Sequence, residues 1–170
     1  MSEDWERIDV GAPDAELLAR ARTVAEMYEP LVVDSAFDDP LDPWELRLHL
    51  GAGIEADSGR FEVTWTDRLR YRYHYTEGEA FNYRYDFHPR TDVQDRHFHE
   101  PPCAARGSLR SPLAIPRFSR FQRSNRAAHD AVPSCIAVET VRLVTLAVLQ
   151  LWRDTVESGD IARLQQVDPP

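Results

Sequence analysis

Between Arg70 and Glu100 the chain reads RYRYHYTEGEAFNYRYDFHPRTDVQDRHFHE, a stretch that holds four of the protein's six histidines between two runs of tyrosine and arginine. Arginine beside a carboxylate and imidazoles can grip a phosphate while a ring nitrogen moves a proton near neutral pH. Arg72, His74, Arg84, Asp86 and His88 fall at alternate positions, so they share one side of two extended segments. In His97-Phe98-His99-Glu100 the two imidazoles are separated by one residue and point the same way in an extended chain. That spacing serves metal sites and acid–base pairs alike, with His88 or Asp86 able to complete a ligand set. The plain counter-reading is a solvated face in which Arg84 and Asp86 neutralise each other and the histidines meet water.

A second candidate lies downstream. Arg106 to Arg126 contains six arginines and no acid, and Arg117, Phe118, Arg120, Phe121 and Arg123 interleave charge with rings. Single-stranded nucleic acid is bound by that composition, phosphates meeting guanidinium and bases stacking on aromatics. A protein partner is a third use, and the counter-reading of equal weight is a loop folded back on the chain's own acidic front half. The last is favoured by charge, since Met1 to Glu62 carries 16 acids against 5 arginines and the whole chain stands at −9. A net negative charge repels polyanions at long range.

The elements that must position these groups follow from periodicity. Ala12-Pro13-Asp14 opens a helix in which Leu17, Ala21, Val24 and Tyr28 recur at steps of four, three and four, and Pro30 ends it. Residues 35–43, SAFDDPLDP, read as an acidic linker. From Leu46 the period becomes two. Leu46, Leu48 and Leu50 form one strand, Phe61, Val63 and Trp65 another, and the pair Leu69 to Tyr75 and Phe81 to Phe87 turns through Gly78. Tyrosine and phenylalanine take one face of that hairpin, arginine, histidine and aspartate the other. Residues 89–133 lose periodicity and gain proline, predicting a long Arg/Pro-rich loop. Ser134 then caps an apolar helix whose valines cover more than one face. The expected architecture is a single α+β domain over 1–170: a four-stranded antiparallel sheet with an N-terminal and a C-terminal helix on one face.

Composition bounds the rest. A chain of 170 residues with 42% hydrophobic content can bury a core without staples. Cys103 and Cys135 read as free thiols, and the charged start MSEDWERIDV lacks the apolar segment of a secretory signal. The expected setting is the cytoplasm, with no membrane span. All 20 basic residues are arginine, and the acidic surface is of the kind salt-adapted proteins carry. Nothing in the residue pattern assigns an oligomeric state.

From Leu46 to Ala105 the chain resembles the TumE-type toxins of toxin–antitoxin pairs. The resemblance is carried by Tyr71-Arg72-Tyr73-His74-Tyr75, by Arg84-Tyr85-Asp86-Phe87-His88-Pro89 and by His97-Phe98-His99-Glu100. Phe87 stands where the family shows a polar residue, and 106–126 has no counterpart in it. The resemblance implies a cytoplasmic toxin acting on RNA or the translation machinery, with an antitoxin partner. Under that reading His74, Asp86, His97 and His99 are the catalytic candidates, while Arg72, Arg84 and His88 bind substrate with the help of the Arg/Phe segment. No cofactor is called for, and cleavage is expected to be metal-independent, because a magnesium nuclease wants several convergent carboxylates and the hairpin offers one. The rival is a non-catalytic interaction protein that uses the arginine-rich segment.

Overall fold

The computed structural model describes residues 11–88, 96–102, 104, 109–110 and 134–165. In chain order these form α1 (Ala15–Tyr28), β1 (Val32–Phe37), β2 (Leu46–Leu50), β3 (Gly59–Trp65), β4 (Tyr71–Glu77), β5 (Phe81–Phe87), β6 (Arg96–His99), β7 (Leu109–Arg110), α2 (Ser134–Ser158) and a 3-10 turn at Ile161–Gln165. All the strands lie in one sheet in sequence order, each antiparallel to the next.

The class is α+β, but among the described residues the sheet has seven strands where alternation predicts four. The three additional ones are edge elements. β1 takes Ser35–Phe37 from the segment read as a linker, and its residues are exposed or half-buried, so it displays no apolar alternation. Its place is set by pairing with β2. β6 and β7 arise within 89–133, read as loop throughout. With four and two residues they are too short to show a period, and Phe98 is the one apolar side chain of β6.

Local chemistry explains the expected elements. Asp14 caps α1 by accepting from the backbone N–H of Glu16 and Leu17, and Leu17, Leu18, Ala21, Val24 and Ala25 are buried. Tyr28, assigned to the same stripe, is exposed, lying where the helix ends. Gly78 turns the β4–β5 hairpin with φ of +60°, a conformation that glycine adopts without a side-chain clash.

One core cluster joins the aromatic face of the sheet to both helices. Tyr75 stacks on Tyr83 at 4.9 Å, Tyr85 lies 4.8 Å from Phe98, and Trp152 of α2 meets Phe61 edge-on at 6.5 Å. Buried tyrosine hydroxyls usually find partners, although those of Tyr71 and Tyr83 have none among the described residues. Tyr73 Oη receives Trp65 Nε1–H at 3.0 Å and contacts Thr145 Oγ1 at 2.6 Å, while Tyr85 donates to the Leu164 carbonyl at 2.6 Å. The buried Glu77 carboxylate gathers the N–H groups of Ile54, Glu55 and Ala56 together with Tyr75 O–H, anchoring the β2–β3 connection. Glu29 pairs with Arg153 and ties the end of α1 to α2. Among the described residues no helix is long and apolar enough to cross a membrane.

Candidate functional site

The helices cover the aromatic face, so the polar residues of β3 to β6 project from the other side of the sheet. Register arranges them in two rows. One runs Thr64, Arg72, Asp86, His97, the other Glu62, His74, Arg84, His99, each residue opposite the next on the neighbouring strand. β6 therefore folds back along β5, and His97 and His99 stand on the same face as Arg72, His74, Arg84 and Asp86. His88, two residues beyond Asp86, closes the group, its ring 4.8 Å from that of His97.

Asp86 is the hub. Its Oδ2 lies 2.6 Å from Arg84 Nε, 3.3 Å from His99 Nε2, 3.4 Å from His97 Nε2 and 3.9 Å from His88 Nε2, while Oδ1 lies 3.7 Å from Arg72 Nε. The carboxylate has no solvent exposure. Burial alone would raise its pKa. Hydrogen bonds from His97 and His99 and the charges of Arg84 and Arg72 outweigh that, holding it well below the usual carboxylate range. His99 Nε2 sits between Arg84 Nη2, at 3.0 Å, and Oδ2. Protonated, it donates to Asp86; unprotonated, it accepts from Arg84.

Accessibility divides the set. His97 and His99 are buried, at 1% and 6% exposure, whereas the side chains of His88 and Arg72 are 28% and 51% exposed. His74 belongs to a separate small group: its Nδ1 lies 3.3 Å from Glu62 Oε2 and its Nε2 3.5 Å from Asn82 Oδ1. Asn82 Oδ1 also accepts from the Ala104 N–H at 2.9 Å, which holds the chain after β6 beside β5. The aromatic neighbours add support at the rim, with Arg70 and Arg96 over the Phe87 ring at 4.5 and 4.8 Å.

Of the residues singled out in the sequence, Arg72, Arg84, Asp86, His88, His97 and His99 converge, and His74 stands one row away. Arg117, Phe118, Arg120, Phe121 and Arg123 lie outside the described residues. Sequence reasoning missed Glu62 and Asn82. Glu62 was legible as the polar residue between Phe61 and Val63 on the strand preceding the hairpin, directly opposite His74 once the strands are paired. Asp86, His88 and His97 also offer ligand atoms that all lie within 4.8 Å of one another, a set able to hold a metal ion.

The profile of the family described as "Toxin TumE" matches residues 20–124, more than half of the chain, and the chain belongs to that family; the match is wider than the 46–105 resemblance and takes in residues 106–124, which the sequence motifs left without a counterpart. No curated protein and no solved structure matches it.

Proposed function

We propose that this TumE-family toxin acts on RNA, using the polar face of β4 to β6 to bind a phosphodiester and cleave it without magnesium. The observation that supports the reading is the convergence of two arginines and three imidazoles on one buried carboxylate, Asp86. Arg72 and Arg84 take the phosphate oxygens and stabilise the charge that builds on them as phosphorus becomes five-coordinate. One imidazole accepts the proton of the ribose 2′-hydroxyl as its oxygen bonds to phosphorus. A second gives a proton to the 5′-oxygen as the P–O5′ bond breaks, leaving a cyclic phosphate and a free hydroxyl. His88, the more open ring, meets the substrate first. His97 and His99 stand behind it, oriented by Asp86, and His74 with Glu62 offers a further acid–base group on the adjoining row.

The toxin class rests on the family match; RNA as the target is the reading that the phosphate-binding and proton-transferring groups support. Growth of a sensitive host expressing the chain, together with incubation of the purified protein with RNA in magnesium-free buffer, tests both. Growth arrest and RNA ends carrying cyclic phosphate are expected, and both disappear in Asp86→Asn. Arrest with intact RNA would leave a toxin with another target. Neither effect would favour the interaction protein that docks through 106–126.

A further inference from the structure

We infer that Asp86, His88 and His97 form a binding site for a divalent transition-metal ion of the zinc type. This goes beyond the RNA reading and does not depend on it. The residues alternate along paired strands: Asp86 and His88 two apart at the end of β5, His97 on β6 directly opposite Asp86. Two-residue spacing on antiparallel strands sends ligands to one point from both sides. Their ligand atoms already lie within 4.8 Å of one another. Metal bonds of about 2.0–2.2 Å in a tetrahedral site bring such atoms to roughly 3.4 Å apart. The partly open His88 ring, 3.9 Å from Oδ2, is the one placed to make up the difference.

A second observation concerns the carboxylate. Oδ2 of Asp86 is engaged by Arg84 at 2.6 Å, but Oδ1, equally buried, accepts no hydrogen bond among the described residues. A buried carboxylate oxygen without a donor costs stability. A cation held by this carboxylate together with the two imidazoles would give the unengaged oxygen a partner. Arg84 and Arg72 oppose a cation electrostatically. Yet Arg84 is committed to Oδ2 and His99, and Arg72 is half exposed and reaches Oδ1 only at 3.7 Å, so it can turn outward. Three protein ligands leave a fourth position for water or a phosphate oxygen, the pattern of working rather than purely structural sites.

The donor set also selects the ion. Two neutral imidazoles and one carboxylate suit zinc, cobalt, nickel or copper, whereas magnesium and calcium want oxygen. Asp86 is the one carboxylate on the polar face of the hairpin, which argues against magnesium and leaves this class of ion untouched. A bound ion would add a Lewis acid beside the two guanidiniums and would take up the ring nitrogens of His88 and His97, leaving His99 and His74 as the acid–base groups of the RNA reading.

The test uses the full chain, free of any purification tag, stripped with a chelator and titrated at neutral pH with cobalt, read by visible absorption, and with zinc by competition. Saturation at about one ion per chain is expected. His88→Ala, which removes a partly exposed ring, should keep the parent's circular dichroism and bind cobalt at least about a hundredfold more weakly, beyond what loss of an outer-shell partner costs. His74→Ala, on the same face but held by Glu62, should bind as the parent does. Absence of saturable binding, or parent-like affinity in a folded His88→Ala protein, overturns the inference. Because no RNA is present, an inactive protein that binds cobalt through His88 leaves this site standing while the RNA reading falls.

Discussion

The two faces of β4 and β5 are built from the same strands, one residue apart, and they are organised in opposite ways. On the inner face Tyr71, Tyr73, Tyr75, Phe81, Tyr83, Tyr85 and Phe87 belong to one core cluster with α2, linked by ring contacts from Tyr71 to Tyr73, Tyr75 to Tyr83 and Tyr83 to Tyr85. On the outer face one carboxylate gathers five basic side chains. The inner arrangement spreads its energy over many similar contacts. The outer one concentrates it in a hub, so that losing one residue leaves several charges without their counter-ion. Asp86 is where the two orders meet, buried like a core residue yet facing the polar side.

The contrast can be broken first from inside. Trp152→Ala removes the fully buried indole that packs on Phe61, and about 3–5 kcal/mol of stability should go with it in a denaturant titration. A loss below about 1.5 kcal/mol, the range of well-tolerated core swaps, would mean that the helix–sheet contact is not what holds the domain. Asp86→Ala comes next. Leaving Arg84 and its imidazoles without a counter-charge should cost about 3 kcal/mol and abolish toxicity. Stability equal to the parent's would show that the outer face contributes nothing to folding.

Acid titration sharpens the same point. The carboxyl of Asp86 is depressed in the folded chain, so the stability it contributes is present above its unfolded pKa of about 3.9 and is lost as pH falls toward the lower folded value. Each pH unit below about 3.9 should remove up to about 1.4 kcal/mol through this group, and Asp86→Asn should flatten that slope. An unchanged slope in the variant would assign acid sensitivity to other carboxylates. The smallest effect on stability is expected for Arg72→Ala, whose half-exposed side chain should cost no more than about 1 kcal/mol. Its signature lies in binding: RNA affinity should fall and its salt dependence should lose about one counter-ion. A salt dependence identical to the parent's would remove Arg72 from the phosphate contacts.

Much of this was legible beforehand. Alternation separates Tyr73 from Arg72 and Tyr85 from Asp86 without reference to any other part of the chain, because successive side chains of a strand point to opposite faces. Asp14 and Pro30 bound α1 through their own local chemistry, and Ser134 stands at the first position of α2. The edge strands were not legible. β1 has exposed residues on both sides and exists by pairing with β2, and RHFH is too short to declare a period. The depth of Asp86 was hidden as well, since alternation puts it on the polar face and says nothing of how many groups close over it.

The sequence by itself determined which strand residues face the core and which face away, and it carried three motifs that lie within the residues matched to the TumE family. Tertiary structure alone decided that the third motif meets the second. His97 lies opposite Asp86 because β6 pairs with β5 in one register. A slip of one residue would turn both histidines to the aromatic side, and the hub would lose two of its imidazoles.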